Sequence, residues 1–489
     1  MGIVLNQSLK NTIITYLGFG IGAINTLYLY PVLLGATFYG LTNYITSCAN
    51  VIMPLFAIGM QNTLVKFYSQ YETQEEKSRF LSFTVLFPLV VIVPMLLVSL
   101  YFYDEILFFL SKKNEIVKNF VWLIPFIGLC MAYFEIFYAW ARVHMHSVFG
   151  NFIKEVGLRL FSLILLIAVY FEYLSVEGFV YATAALYLLA FLVTMFYAFH
   201  IEKPTFQFSM PKNTKEILTY TFYIILSGSV ANLLLDGDKI MLNQYMIIDN
   251  IAFYSIATFI ALVISVPSRA MHQIVYPITA KLMHDNKFEE LNVLYKKTSI
   301  NLQVVGGYVM LGIFVNINQL YEMVPKEYSG GILVVFMIGI SKYFDLILGN
   351  NNAIIFNTKY YRAVLFLGVL LVAVAIGLNM VFIPMYGIMG CAFATLLSIT
   401  LYSLAKLLFV VKRLHLYPFT PETIHSLIIT FILFISFYFW EFPFSPIIAI
   451  TCKSILITVV YTYVNYKFVI STEINNAIDL VLAKVNKFF

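Results

Sequence analysis

The sequence predicts an all-α integral membrane protein with about 14 transmembrane helices, arranged as two pseudo-symmetric six-helix lobes plus two terminal helices. Three observations lead to this fold class. Hydrophobic residues make up 61% of the 489 positions and charged residues only 11%, whereas soluble domains carry roughly 25% charged residues. The apolar residues are gathered into runs of about 20, the length that a helix needs to cross a bilayer. The two halves of the chain also share short motifs.

The apolar runs define the order of the predicted spans along the chain. The spans lie near 11–34, 39–60, 81–103, 120–142, 153–173, 178–200, 217–238, 247–268, 298–320, 330–352, 363–383, 387–410, 423–440 and 447–468. The first run is longer than a signal-peptide core and lacks a small-residue cleavage pattern after it, so we expect a retained helix. All four cysteines fall inside apolar runs, which indicates packing residues rather than disulfides or metal ligands.

The positions of Lys and Arg predict the orientation, because positive charge is retained on the cytoplasmic side of a membrane. With the N-terminus inside, most of the 30 basic residues fall on cytoplasmic segments, among them Lys10, the stretch 281–297 and Lys406. We therefore expect both termini to be cytoplasmic. Lys453 lies within a span and is expected to snorkel outward. The net charge of +5 is spread over short loops, which does not indicate a nucleic-acid partner.

Short motifs recur in the two halves of the chain at offsets of about 210 to 215 residues. Phe38-Tyr39-Gly40-Leu41 opens the second span and resembles Phe253-Tyr254-Ser255-Ile256 at the start of the eighth. Tyr133-Phe134-Glu135 in the fourth span resembles Tyr343-Phe344-Asp345 in the tenth. Many transporters are built from such repeats. A six-helix unit that occurs twice in the same orientation accounts for both matches.

This repeat predicts the domain organisation. We expect residues 1–205 to form the N-terminal lobe, 206–415 the C-terminal lobe, and 416–489 two terminal helices with a cytoplasmic tail. The longest predicted outer loop, 104–119, is short. A membrane enzyme that acts on glycans at the outer face usually needs a larger outer segment, so the connectivity is typical of a transporter.

Several diffuse motifs are shared with a known family. Lys10-Asn11-Thr12-Ile13 precedes a Gly-rich first helix that runs to Pro31, and the Phe38-Tyr39-Gly40-Leu41 step follows. Asp238-Lys239-Ile240-Met241-Leu242 is followed by Ala252-Phe253-Tyr254-Ser255. With these motifs the sequence resembles the lipid-linked oligosaccharide flippases of the multidrug/oligosaccharidyl-lipid/polysaccharide (MOP) exporter superfamily. The resemblance covers nearly the whole chain.

The resemblance implies two six-helix lobes around a central cavity and transport by alternating access. It implies a polyprenyl-pyrophosphate-linked glycan as the cargo, exported across the bacterial inner membrane for surface polysaccharide biosynthesis. The expected partners are this lipid-linked glycan, membrane lipid and the polysaccharide polymerase machinery.

Charged residues inside the apolar runs are the first candidates for a substrate path or an ion-coupling site, because each costs roughly 2.5–3.5 kcal/mol in hydrocarbon. Glu135 and Asp345 lie at matching depths in their spans. Lys342 precedes Asp345 by three residues, which predicts a local ion pair on one helical face. Glu135 has no lysine one turn away, so it needs a partner from another helix or is protonated. A structural contact, cargo contact and cation coupling all remain open for both carboxylates.

Further basic candidates lie at the ends of spans. Lys239 occupies a position like the family's Asp-Lys pair, where it could meet a phosphate while Asp238 fixes its side chain. A plain interfacial loop is the other interpretation of this segment. Arg142 and Arg269 lie at cytoplasmic helix ends, where they serve topology or gather a pyrophosphate at the entrance.

The first span carries residues that affect helix packing and bending. Gly18, Gly20 and Gly22 are small residues that allow helices to approach closely. Pro31 removes a backbone hydrogen bond and can kink the helix, so we expect this span to bend during the transport cycle.

The sequence predicts neither a cofactor nor a metal site. It contains no Walker motif, so we expect no ATP hydrolysis and no enzyme activity. A pyrophosphate carries about two negative charges, and a potential that is negative inside favours its export by roughly 2.3 kcal/mol per charge per 100 mV. Four histidines in or beside cytoplasmic loops lack metal-ligand spacing and are expected to be solvated: His144, His146, His272 and His284.

Two other functions fit parts of this pattern. One is a cation-coupled multidrug or metabolite antiporter of the same superfamily, in which Glu135 or Asp345 would bind the cation. Such antiporters usually lack the two terminal helices. The other is a membrane glycan polymerase or ligase, against which the short outer loops argue.

Overall fold

The computed structural model describes residues 2–203, 210–211, 213–358 and 360–485. These ranges are almost entirely helical and contain no β-strand. The predicted lobe boundary at 205/206 and the end of the predicted tail, 486–489, lie outside the described residues. The all-α fold class is confirmed.

The described residues form twenty α-helices, joined by short turns. In chain order they are α1 (Gly2–Ile24), α2 (Tyr30–Ala57), α3 (Met60–Phe67), α4 (Gln74–Tyr101), α5 (Tyr103–Ser111), α6 (Leu123–Val143), α7 (Ser147–Phe152), α8 (Leu158–Tyr170), α9 (Val176–Ile201), α10 (Thr214–Tyr245), α11 (Asp249–Leu262), α12 (Val266–His284), α13 (Phe288–Val315), α14 (Ile317–Glu322), α15 (Ile332–Ile347), α16 (Asn351–Phe356), α17 (Tyr361–Leu414), α18 (Pro421–Tyr438), α19 (Pro446–Lys467) and α20 (Thr472–Val485).

Within the described ranges, 10 helical segments are long and apolar enough to cross a membrane, or 11 when the bent helix α10 is included. Two of these segments each contain two predicted spans, because the chain turns sharply at Gly35 and at Gly387. Both glycines have left-handed φ values, 66° and 61°, which a residue with a Cβ rarely adopts. The fifth predicted span is a π-helical turn, Ile153–Gly157, that continues into α8. Counted in this way, the described helices account for all 14 predicted spans.

Side-chain caps explain where several helices begin. Thr73 accepts a hydrogen bond from the backbone of Glu76 at the start of α4, and Ser175 does the same for Gly178 at the start of α9. Thr420 forms a reciprocal capping box with Thr423 before α18. These caps satisfy backbone donors that would otherwise be unpaired at the ends of the spans.

The chain divides into two compact units, Met1–Ser255 and Ile256–Phe489. In the first unit, aromatic side chains from α2, α3, α4 and α6 form a large buried cluster. Its largest fully buried side chains, each less than about 2% exposed, are those of Phe67, Phe80, Phe83, Phe137 and Trp140. Helix α10 packs against α2 within this unit.

In the second unit, the terminal helices α18 and α19 pack against α13 around a buried apolar cluster that includes Val304, Leu433 and Tyr461. A Cβ at Gly307 of α13 would lie 2.9 Å from the Tyr461 hydroxyl and 3.2 Å from the Thr430 hydroxyl. The absence of a side chain at Gly307 therefore permits this three-helix contact.

The two units contain the same local arrangement at the motif that the sequence repeats. Helix α6 carries Glu135 and ends before Met145, which has a φ of 62°, and the short helix α7 follows. Helix α15 carries Asp345 and ends before Gly349, which has a φ of 58°, and the short helix α16 follows. The equivalence inferred from sequence therefore extends to the helix breaks that follow each carboxylate.

Candidate functional site

Glu135 forms an ion pair with a lysine from another helix segment. Lys154 Nζ lies 2.5 Å from Glu135 Oε1, and Lys154 comes from the π-helical turn that precedes α8. The Glu135 side chain is mostly buried, whereas that of Lys154 remains 46% exposed. Of the two states that the sequence left open for Glu135, the structure has the one with a partner from another segment.

Asp345 has a different lysine partner from the one that the sequence predicted. Lys406 Nζ, from α17, lies 3.1 Å from Asp345 Oδ1, and the Ser403 hydroxyl donates to the same oxygen at 3.2 Å. Lys342 also acts electrostatically on Asp345, but the hydrogen-bonded ammonium is that of Lys406. The hydrogen-bonded ion pair therefore comes from a neighbouring helix, which sequence spacing does not indicate, while the expected partner Lys342 contributes electrostatically.

Lys406 is buried inside the second unit, where several groups compensate its charge. Its side chain is 2% exposed. Its ammonium also donates to Asn352 Oδ1 at 3.2 Å and lies 4.4 Å from the centre of the Tyr402 ring. Sequence reasoning counted Lys406 only among the cytoplasmic basic residues and missed this ion pair. The sequence offered one signal, since Lys406 follows a long apolar run without a break.

The carboxylate of Asp345 lines a small polar hollow in the second unit. Helices α12, α16 and α17 all contribute polar groups to this hollow, including those of His272, Asn351 and Lys406. Asn351 is 1% exposed, and neither atom of its amide has a hydrogen-bond partner in the structure. The Asp345 side chain is 47% exposed towards this space. His272 is half-buried here, so the expectation that it is solvated is corrected.

A second buried carboxylate lies in the first unit, between α2 and α10. Asp236 Oδ1 accepts hydrogen bonds from the Ser47 hydroxyl at 2.7 Å and from Lys239 Nζ at 3.2 Å. Asn50 donates to Asp236 Oδ2 at 3.2 Å. Asp238, which we expected to position Lys239, instead accepts a hydrogen bond from the Tyr254 hydroxyl at 2.5 Å. The carboxylate bonded to Lys239 is thus Asp236, one helical turn away.

The two candidate arginines lie in different environments. The guanidinium of Arg142 stands 4.8 Å from the centre of the Tyr138 ring at the end of α6. Its Nε atom is buried without a hydrogen-bond partner. Arg269 lies on α12 and is exposed. Their roles in topology or in anion contact stay predictions.

The glycines of the first span differ in their surroundings. A Cβ at Gly18 would collide with the backbone of Glu155 and lie 2.6 Å from the Arg159 guanidinium, so this position requires a small residue. Gly22 is buried, whereas the site of a Cβ at Gly20 is open. The packing role therefore has direct support at Gly18.

The predicted bend near Pro31 coincides with an irregular helix. A π-helical turn, Asn25–Leu29, lies immediately before Pro31. The side chain of Asn25 is buried and donates to the backbone oxygen of Arg159 at 2.8 Å, and the Tyr30 hydroxyl lies 2.6 Å from the Ser162 hydroxyl. π-Turns commonly mark bends in helices. Movement of this segment during transport stays a prediction.

Lys453 does not snorkel outward as expected. Its side chain is fully buried, and its ammonium donates to the backbone oxygen of Val315 at 3.2 Å. Val315 is the last residue of α13, where unpaired carbonyl groups favour a positive charge. Lys453 therefore caps a neighbouring helix.

Together, these contacts give three carboxylate–lysine pairs within apolar helices: Glu135 with Lys154, Asp345 with Lys406, and Asp236 with Lys239. Each pair neutralises charges that would be costly in a membrane. Such groups can hold helices together, and they can exchange a partner for a cation or an anionic cargo.

The fold is also found in solved structures of membrane transporters. The lipid II flippase MurJ, in an inward closed conformation, matches with a TM-score of 0.72 and 16% identity, covering 94% of this chain and 99% of that chain. An inward-facing multidrug resistance MATE family transporter matches with a TM-score of 0.61 and 14% identity, covering 83% and 94%. The Vibrio cholerae MATE transporter VcmN matches with a TM-score of 0.56 and 14% identity, covering 85% and 98%.

These matches show the fold: the chain has the multi-pass helical fold of these flippases and transporters. A family model described as polysaccharide biosynthesis protein matches residues 5–283, more than half of the chain. The protein therefore belongs to the polysaccharide biosynthesis protein family. No curated protein sequence is significantly similar to it. The matched structures are those of a flippase and of transporters.

Proposed function

We propose that the protein is a flippase that exports polyprenyl-pyrophosphate-linked oligosaccharide repeat units across the bacterial inner membrane by alternating access. The observation that carries this proposal is that a chain of the polysaccharide biosynthesis family has, over 94% of its length, the fold of a lipid II flippase. The exported units would serve surface polysaccharide synthesis, and the polymerase machinery would receive them.

The extent of the structural matches favours a flippase over a drug antiporter. The MATE chains are themselves covered almost completely, yet they leave about a sixth of this chain unmatched. The lipid II flippase leaves only 6% unmatched. This difference agrees with the two terminal helices that the sequence predicts in addition to the two lobes.

The charges of the helices suit a cargo with a charged head group and an apolar tail. The paired carboxylates and lysines provide polar contacts inside otherwise apolar helices. Lys154 is the most exposed lysine of the three pairs and could turn from Glu135 to a phosphate. In the proposed orientation, a potential that is negative inside favours export of the pyrophosphate by roughly 2.3 kcal/mol per charge per 100 mV.

Flipping in reconstituted vesicles tests the proposal. The purified protein is placed in sealed vesicles with a fluorescent polyprenyl-pyrophosphate-linked oligosaccharide, and a membrane-impermeant quencher reports the label in the outer leaflet. The labelled lipid in the inner leaflet is at first out of reach of the quencher. We expect the quencher to reach it when protein and a membrane potential are present, but not in protein-free vesicles. Protection that is equal with and without protein would refute a flippase for this cargo.

A cellular assay separates the proposal from its alternatives. In cells that lack the protein, lipid-linked units should accumulate on the cytoplasmic face of the inner membrane. Loss of a polymerase or ligase would instead leave single units on the outer face. Efflux of a cationic drug by the same vesicles under a cation gradient, without glycan flipping, would identify the antiporter.

A further inference from the structure

Three side chains of α6 with charged or hydroxyl groups lie on a single helical face. Glu135, Tyr138 and Arg142 are spaced three and four residues apart, which places them one above the other. Each is only partly buried, whereas the five residues between them are buried. This face is therefore the part of segment 135–142 that is open to a ligand.

A second cation reaches this face from the π-helical turn Ile153–Gly157. Lys154 binds Glu135, and both Lys154 and Arg142 act electrostatically on Tyr138. Gly150 makes room for the Tyr138 ring, because a Cβ at that position would collide with it. π-Helical turns occur frequently at functional sites. The two cations and the phenol thus belong to one cluster of the first unit.

Arg142 is the cation of this cluster that lacks an acid to balance it. Its guanidinium stands 4.8 Å from the centre of the Tyr138 ring, and its buried Nε has no hydrogen-bond partner. None of the ion pairs between described residues includes Arg142. A guanidinium that is partly withdrawn from water without a carboxylate is costly, and a bound anion offsets that cost.

Two other acids near this end of α6 have partners of their own. Glu202 Oε2 lies 2.6 Å from Nε2 of His144, the residue that follows α6. Because the His144 side chain is only 18% exposed, the expectation that it is solvated is corrected. Glu155 Oε2 accepts a hydrogen bond from the Arg159 guanidinium at 2.8 Å. Both acids are therefore engaged away from Arg142.

We propose that Arg142, Tyr138 and Lys154 form a binding site for a diphosphate, and that Lys154 leaves Glu135 to contact this ligand. The inference rests on the proposed function and deepens it, since the diphosphate is that of the lipid-linked cargo. In the predicted orientation, this end of α6 is cytoplasmic, where the cargo is loaded.

The chemistry of the three side chains fits a diphosphate. Arg142 offers a planar pair of donors that suits two phosphate oxygens, Lys154 offers a mobile ammonium, and the Tyr138 hydroxyl is a further donor. Glu135 and Tyr138 are about 4.5 Å apart along the helix axis, so the two cations lie about one turn apart. Two linked phosphoryl groups can bridge that separation. Lys154 is 46% exposed, so it leaves Glu135 at low cost.

Direct binding tests the site. The purified full-length protein is placed in phosphatidylcholine nanodiscs that contain polyprenyl diphosphate, and native mass spectrometry counts the lipid bound to each protein. We expect polyprenyl monophosphate to bind about tenfold more weakly, because one charge-assisted contact is lost. Inorganic diphosphate is added as a competitor. Displacement of the lipid would show that any diphosphate fills the site, whereas no displacement would identify the lipid-linked form as its ligand.

Matched variants test the role of each side chain. Arg142→Gln and Lys154→Gln should each weaken binding by about tenfold or more. Arg79→Gln removes the same charge from an exposed arginine of the same unit, which pairs with Glu75, and should change binding by less than about twofold. Glu135→Gln should strengthen binding by about threefold, because Lys154 is then free of its carboxylate. A gain of binding in Glu135→Gln cannot result from misfolding, and a purely structural pair would not produce it.

Two results would overturn the site: wild-type binding in both Arg142→Gln and Lys154→Gln, or no gain of binding in Glu135→Gln. The vesicle assay separates these results from failure of the proposed function. Flipping by a wild-type protein whose binding ignores Arg142 and Lys154 would refute the site and leave the flippase intact. Binding that follows the variants as expected, without any flipping, would establish the site and refute the flippase.

Discussion

Substitution of Asp345 and substitution of Lys406 should lower the free energy of unfolding by clearly different amounts. Asp345 is half exposed to the hollow, so it can be hydrated after Lys406 is lost. Lys406 is buried and, without Asp345, would keep only Asn352 and the Tyr402 ring as partners. We therefore expect Asp345→Asn to destabilise the protein more than Lys406→Met does.

The distance in the structure gives the magnitude. Two unit charges separated by 3.1 Å attract each other by about 5 kcal/mol at an effective dielectric constant of about 20, before the desolvation cost is subtracted. Stranding a buried charge typically costs about 3–5 kcal/mol, so we expect about 3 kcal/mol for Asp345→Asn. Lys406→Met leaves a hydrated carboxylate and one lost hydrogen bond, for which we expect about 1–2 kcal/mol.

The assay is the apparent melting temperature and the abundance of each variant in the same detergent, with the double variant Asp345→Asn/Lys406→Met completing a thermodynamic cycle. The double variant should be more stable than Asp345→Asn alone, because no buried charge is left unpaired. Lys342→Met is the control and should have a smaller effect than either partner. Equal stability of Asp345→Asn and wild type, or no recovery in the double variant, would refute this reasoning.

Three further predictions concern other charged groups. Glu135→Gln should lower the free energy of unfolding by no more than about 1 kcal/mol, because Lys154 remains solvated. Flipping should nevertheless fall if Glu135 acts on cargo or a coupling ion, whereas normal flipping would indicate a structural role. Lys287→Cys in a background without native cysteines should resist impermeant thiol reagents in intact cells, and ready labelling would reverse the predicted orientation. Burial acts to raise the pKa of Glu473, but hydrogen bonds, first that from Lys297, outweigh it and hold the pKa below its ordinary value. The contact of α20 with α13 should thus be complete above about pH 4.5 and weaken only as the pH falls further, which proteolysis of α20 across that range would check.

The sequence predicted the fold well because its signals are local and repeated. Runs of about 20 apolar residues specify spans without reference to partners. The sharp turn at Gly35 falls between two predicted spans, and that at Gly387 falls on the first residue of the twelfth.

The partners of the charged residues were harder to predict because they depend on tertiary packing. A helical spacing of three pointed from Asp345 to Lys342, yet Lys406 is 61 positions further along the chain. The contacts of Glu202 with His144 and Tyr68 likewise join residues 58 and 134 positions apart. Of the three carboxylate–lysine pairs described above, Asp236–Lys239 is the one that lies within one turn, and there the sequence pattern pointed to the neighbouring Asp238.

The repeated motif places Glu135 and Asp345 at equivalent positions, but packing makes their ion pairs unequal. The lysine of the second pair is buried next to Asn352 and Tyr402. If it separated from Asp345, its positive charge would remain in the interior without a carboxylate partner. The lysine of the first pair is 46% exposed and can be hydrated when it leaves Glu135. A carboxylate that exchanges its partner during a transport cycle must release it at low cost. Glu135 therefore suits contact with cargo or a coupling ion, whereas the Asp345 pair suits the fixed attachment of α15 to α17.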